Sequence, residues 1–229
     1  MEENIIQPPQ KESFKKPLIV LIVLFVLYGI VSYLQTKSVT WEDYQNIMSV
    51  TPGGDRMSKD VMQSSYDATQ NYAFVSLFGG IARVISILFI SLILYLGFNI
   101  ASKRQVFNTI FKCVIYADVV ILIQTIVMSL IMVHSHYDCY FQTQVVPLSV
   151  LSFLNVCNLE PYMIGILKYI NIFEVMYFGV LSYFLVKSIP DQPKKQVIII
   201  AACCYGIILI LSMLRDTITL MGLEKMANM

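Results

Sequence analysis

Residues 17–34 read PLIVLIVLFVLYGIVSYL, an apolar run without a single charged side chain. At 1.5 Å of rise per residue, a hydrocarbon layer of about 30 Å takes roughly 20 such residues in a helix. The run is therefore long enough to cross a bilayer. A helix is the form it must take there, because the layer holds no water to satisfy backbone amides. Lys15 and Lys16 precede it, as in a secretory signal, and two features argue against cleavage. The apolar core exceeds the roughly 7–15 residues of a signal, and Gln35-Thr36-Lys37 offers no small-x-small site. It reads as an uncleaved first span.

Working outward, four further runs of the same kind follow. The second covers 80–101, with an apolar core at 84–101 and a less apolar approach from Tyr72. The third is 113–133, where Asp118 is the one charge; the fourth, 162–186, carries Lys168 and Glu174; the fifth is 197–214. The 229-residue chain is 57% hydrophobic and 14% charged, whereas soluble domains average about 45–50% and 25%. Too little polar chain is left to cover five apolar helices, which excludes a soluble globular protein. The expected fold is all-α and polytopic with five transmembrane helices. Its parts are a cytoplasmic segment 1–16, the first span 17–34, an extracytoplasmic segment 35–71, a four-helix membrane region 72–215 and an extracytoplasmic tail 216–229. A net charge of +1 gives no basic surface for nucleic acid.

Basic residues are retained in short cytoplasmic loops, so their distribution sets orientation. Lys11, Lys15, Lys16, Lys103, Arg104, Lys112, Lys187, Lys194 and Lys195 fall on one side, against Lys37, Arg56, Lys59, Arg215 and Lys225 on the other. Residues 134–161 contain no Lys or Arg. The N-terminus is expected in the cytoplasm and the C-terminus outside, in a bacterial inner membrane. The cytoplasmic parts are then too small for a catalytic domain. In the longest aqueous segment, Trp41 and the turn Pro52-Gly53-Gly54 precede Met57, Val61, Met62 and Tyr66, whose helical spacing predicts a short amphipathic helix packed on the bundle or lying at the interface. The stretch 147–156 (PLSVLSFLNV) is too short to span and reads as interfacial or re-entrant.

Residues 106–118 (VFNTIFKCVIYAD) lead through amphipathic turns into a Tyr-Ala step, the apolar 148–154 follows, and 170–185 (INIFEVMYFGVLSYFL) combines an Asn-x-Phe step with aromatics and Gly. In this order and pattern the chain resembles the Yip-domain family of five-helix integral membrane proteins over roughly residues 84–215. The resemblance implies five spans with a cytoplasmic N-terminus. Eukaryotic members of that family carry a long cytosolic region with an Asp-Leu-Tyr-Gly-Pro motif and are associated with Rab GTPases. Neither the region nor the motif occurs here, so GTPase binding is not expected and the chain looks like the short, bacterial-type members. It also departs from many relatives in continuing past Tyr116-Ala117 with Asp118-Val119-Val120 rather than an early Pro.

No catalytic signature is present: no HExxH, Walker loop, GxSxG or CxxC. His134, His136 and Cys139 follow no standard zinc spacing, so neither a metal nor another cofactor is expected. Cys139 and Cys157 share an extracytoplasmic segment, where a disulfide can form. Arg83, Asp118, Lys168 and Glu174 are the charges that fall within apolar runs, and such groups face a bundle interior, a partner or a wet cavity. Counted from the basic ends of the runs, Glu174 lies nearest the midplane, with Arg83 and Lys168 at the outer level as its expected partners. Asp118, six residues after Lys112, is expected only about 9 Å deep, near water. The expected role is non-enzymatic: organising the membrane, other membrane proteins or a second copy of itself. The alternative is a small transporter or channel component built on Arg83, Lys168 and Glu174.

Overall fold

A computed structural model describes residues 15–50, 57–70, 72–101, 105–133 and 139–227. His134 and His136, the 52–54 turn and most of the segment 1–16 lie outside the described residues. The helices are α1 (Lys15–Ser38), α2 (Trp41–Val50), α3 (Lys59–Thr69), α4 (Tyr72–Ile100), α5 (Phe107–Val133), α6 (Pro161–Leu167), α7 (Ile172–Ser188) and α8 (Lys194–Ala227). Three short 3-10 turns link α5 to α6. Among the described residues no strand is longer than the isolated bridge Ser149–Asn171.

Among the described residues four helical stretches are long and apolar enough to cross a bilayer: Lys15–Lys37, Leu77–Ile100, Phe107–Ile131 and Lys194–Gly222. Their outward faces expose Leu18, Ile22, Ile85, Leu92, Leu130 and Ile210, apolar surface that only lipid or a partner would cover. Inside, α1 lies on α4 and α5, α5 on α7, and α8 on α4, α6 and α7. The tight half of the bundle is where α4 ends and α5 begins. There Leu94 and Phe98 of α4, Val114 of α5, Leu185 of α7 and Ala201 of α8 are buried together. A Cβ on Gly97 would fall on the Cys204 thiol, so α4 and α8 approach as closely as they do because that position has no side chain.

The run 162–186 is not one helix. Pro161 opens α6 at a position where its missing N–H costs nothing, and α6 stops at Leu167. The chain is then extended at Asn171, whose side chain accepts the Glu174 N–H at 2.9 Å and so starts α7 afresh. Pairing across the break fixes it: Val150 N–H donates to Ile170 O at 3.0 Å and Ile172 N–H to Leu148 O at 3.4 Å. The resulting α7 has 17 residues, about 26 Å of helix.

A second correction concerns the tail. Residues 216–227 continue α8, whose 34 residues extend about 51 Å, well beyond a hydrocarbon layer of about 30 Å. Its far end is covered by a small cap built from residues 139–171. In the cap, Leu151, Val156, Ile164 and Leu220 form a separate core, and Cys139 and Cys157 are joined by a disulfide with Cα atoms 5.8 Å apart. The apolar 147–156 stretch forms 3-10 turns within this cap.

The α2–α3 pair lies at the same end. Thr40 and Asp43 cap α2 reciprocally: Thr40 N–H donates to Asp43 Oδ2 at 2.9 Å and Asp43 N–H to Thr40 Oγ1 at 3.2 Å. Tyr66 of α3 packs edge-on to Trp41 at 5.2 Å, while Met57 and Val61 of the expected amphipathic face stay exposed.

Candidate functional site

The charges singled out in the sequence do not form one set. Arg83 of α4 forks onto Asp118 of α5: its Nε donates to Oδ2 at 3.1 Å, and a terminal guanidinium nitrogen bonds Oδ1. Asp118 is 0% exposed, so without this bidentate partner a carboxylate would be stranded in the core. Tyr28 of α1 stacks its ring 5.6 Å from the guanidinium and donates its hydroxyl to Asp118 O at 3.5 Å, which ties three helices to one ion pair. The contact with water expected for Asp118 is thus corrected: Asp118 is buried inside the bundle, because Arg83 of α4 and Tyr28 of α1, from other helices, close over it.

Lys168 is not a partner of Glu174 either. It sits at the break between α6 and α7 and pairs with Asp216 of α8 at 2.5 Å. Tyr169 donates its hydroxyl to the same carboxylate at 2.8 Å, and Arg215 Nε donates to its other oxygen at 2.7 Å. Asp216 thereby ties the cap to α8. Glu174, in the first turn of α7, accepts a hydrogen bond from the Tyr205 hydroxyl of α8, and among the described residues no cation lies within ion-pair distance of it.

Arg83, Glu174, Tyr169, Tyr205 and Arg215 of these groups border one space. The cavity, of about 770 Å³, has Arg83 and Ser86 of α4, Gln124 and Ser129 of α5, Glu174 and Tyr177 of α7, Tyr205, Ser212 and Arg215 of α8 and Gln35 of α1 on a wall that is otherwise apolar, with Phe89, Ile121, Met128 and Ile208 among its residues. These polar residues lie in the half of the bundle where α1, α5 and α8 end. The opposite half is the tight apolar packing described above. The exposed Ile85, Phe89 and Leu211 also line the cavity, so it borders the outer surface of the bundle as well as its interior. Tyr177 is 1% exposed, yet its hydroxyl has no hydrogen-bond partner among the described residues, and Gln124 Oε1 is likewise unpaired. Two buried polar atoms held without partners on one cavity wall are costly unless something in the cavity meets them.

Asp216, Tyr169, Tyr177, Tyr205 and Arg215 were not picked out in the sequence. Asp216 and Arg215 fall just beyond the last hydrophobic run, and the apolar residues that continue at helical spacing past them, Ile218 and Leu220 to Met221, were the available signal. Nothing local marks Tyr205 as the partner of a residue 31 positions earlier. Among the described residues no cluster of His, Cys, Asp and Glu suits a metal ion.

Neither the curated proteins nor the solved structures give a significant match to the chain. The family profile described as the Yip1 domain matches residues 3–215, the whole bundle and most of α8. An all-α bundle with several membrane-crossing helices, matched over that length, belongs to the Yip1 domain family.

Proposed function

We propose that the protein is a non-enzymatic, five-span membrane protein whose working part is this cavity, a binding site for a polar molecule or headgroup taken from one side of the bilayer. The cavity's wall carries this reading. Organising neighbours needs only outward faces that pack against them, and it gives no reason to gather charged and hydroxyl groups around an internal cavity. Here Arg83, Glu174, Tyr177 and Tyr205 turn to a common internal space. That puts the solute-site reading ahead of the organising one expected from the sequence.

The fifth span in this reading is α7. It falls just short of a full crossing length, but it is packed between α5 and α8, and about 26 Å nearly matches the hydrocarbon layer. With the basic residues inside, the cap, α2–α3 and the cavity mouth all lie outside the cytoplasm. A reporter active only outside the cytoplasm is expected to work when fused after Asn228 and to stay silent after Lys194. The reverse pattern, or activity at both points, overturns the topology.

The cavity is tested by thiol labelling in vesicles of both orientations. With Cys113, Cys203 and Cys204 replaced and the disulfide kept, Ser129→Cys and Ser212→Cys are expected to react with a membrane-impermeant reagent from one side. Ser91→Cys, in the tight half, is expected to react from neither. Labelling of Ser129→Cys and Ser212→Cys from both sides would make the bundle a channel. Labelling from neither would remove the wet site and restore the organising role to first place.

A further inference from the structure

The cavity does not stand alone. A second pocket of about 590 Å³ opens on the outer face of α7 and α8, and its wall shares Tyr169, Glu174, Tyr205 and Leu209 with the polar cavity. The rest of that wall is mostly apolar, with Leu148, Phe153, Ile172, Val175, Phe178 and Met213. Val175 of α7 is 71% exposed, so this side of the pocket faces the surroundings of the bundle, which for a membrane helix means acyl chains, while Phe153 closes the cap end of the pocket. A cavity that carries charged and hydroxyl groups on its wall and a lipid-facing apolar pocket, meeting at Tyr169, Glu174, Tyr205 and Leu209, match a molecule with a polar head and a long tail.

Charge narrows the head. The cavity presents both signs, the guanidinium groups of Arg83 and Arg215 and the carboxylate of Glu174. The two arginines already hold carboxylates, Asp118 and Asp216, but a guanidinium has five N–H donors and retains capacity for a further anion. Glu174 has a hydroxyl partner and, among the described residues, no cation within ion-pair distance, the nearby Arg83 being paired with Asp118, and it lines both spaces. A carboxylate held in such a place is complementary to a ligand ammonium, and the arginines to a phosphate.

Two further observations fall on the same walls. The Ser149 hydroxyl, buried on the apolar pocket, has no hydrogen-bond partner among the described residues, as the Tyr177 hydroxyl has none on the polar side. Leu148, on the pocket rim, is held at φ 58°, a left-handed conformation that L side chains rarely adopt. Strain of this kind persists only where the surrounding structure imposes it, and here the Ser149–Asn171 bridge does so beside the pocket.

We propose that the two spaces together bind one zwitterionic phospholipid with a primary ammonium headgroup: ammonium at Glu174, phosphate on the arginine side, an acyl tail in the apolar pocket. The proposal rests on the cavity being a binding site, and it names the ligand. Its test uses the full chain in detergent, titrated with short-chain phosphatidylethanolamine, with phosphatidylglycerol as the anionic control and free phosphoethanolamine as the head without a tail. Binding is read by native mass spectrometry and by the melting temperature.

Saturable binding of phosphatidylethanolamine is expected, with a preference over phosphatidylglycerol of roughly tenfold, the low end for a charge-assisted hydrogen bond. Glu174→Gln should erase the preference and Glu174→Asp should partly keep it. Val175→Trp, at an exposed position, should fill the apolar pocket and weaken lipid binding at least several-fold while the ligand-free melting temperature holds. Equal affinity for both lipids, or a preference that survives in Glu174→Gln, overturns the proposal. Saturable binding of phosphoethanolamine without lipid binding overturns it too, but leaves the cavity reading standing. If no probe binds, the proposal fails, and the thiol labelling of Ser129→Cys decides separately whether the cavity reading fails with it.

Discussion

Asp118→Ala is expected to be the most destabilising single substitution among the polar residues of the bundle. Removing one partner of a buried ion pair costs about 3–5 kcal/mol, because the other charge is left in the core. Arg83 keeps 19% of its side chain exposed and borders the polar cavity, so part of its charge can still be solvated. The cost is accordingly placed near the lower end, about 3 kcal/mol. At about 2–4 °C per kcal/mol for a chain of this size, the melting temperature in detergent should fall by roughly 10 °C. Arg83→Met combined with Asp118→Leu removes both charges together and should recover most of the loss, since an apolar replacement of a buried pair is often neutral. A single variant that melts like the parent would mean that Asp118 meets water, as its sequence position alone suggests. A double variant no better than the single would mean that the pair is not the source of the effect.

Removing the Cys139–Cys157 disulfide should act on the cap and leave the bundle in place. The two cysteines are 18 residues apart, and closing a loop of that length stabilises by about 3 kcal/mol in the chain-entropy description. The cap's own core is small, formed around Leu151, Val156, Ile164 and Leu220, so a loss of that size is a large fraction of its local stability. Cys139→Ser with Cys157→Ser is expected to raise hydrogen exchange and protease cleavage across 139–171 at temperatures where α4, α5 and the first half of α8 stay protected. Because Tyr169 and Lys168 hold Asp216 from the cap side, the same variant should also speed thiol labelling of Ser212→Cys on the cavity wall. Unchanged protection of 139–171 would show that apolar packing alone holds the cap.

The arrangement links the two effects. The Arg83–Asp118 pair sits between the tight half and the cavity, and the Asp216 cluster sits between the cavity and the cap. Glu174 lies between these two pinned regions and, among the described residues, has no cation within ion-pair distance. Neutralising it therefore strands no buried basic partner, and Glu174→Gln should cost much less stability than Asp118→Ala. A carboxylate whose loss is tolerated by the fold is better placed to serve a ligand than one that holds helices together.

Where the long helices run was legible in the sequence, because hydrophobic length is a one-dimensional property: a run such as 17–34 or 84–101 needs no knowledge of its neighbours to be read as membrane-crossing. The family pattern and the excess of basic residues in two short loops are of the same local kind. Three things depended on the tertiary structure. The fourth run breaks at Lys168–Asn171 because Leu148 and Val150, some twenty residues upstream, offer backbone partners there, and hydropathy is blind to such pairing. The last helix continues past Arg215-Asp216 because Lys168 and Tyr169 meet that carboxylate, whereas alone it reads as the polar end of a span. And the charges within the apolar runs, of which counting set Arg83 and Lys168 beside Glu174 and left Asp118 near water, are divided otherwise, Arg83 to Asp118, Lys168 to Asp216 and Glu174 to Tyr205, because axial offsets and side-chain reach of a few ångströms decide which groups touch. Length and polarity are written along the chain; partnership is a distance between elements, and only packing sets it.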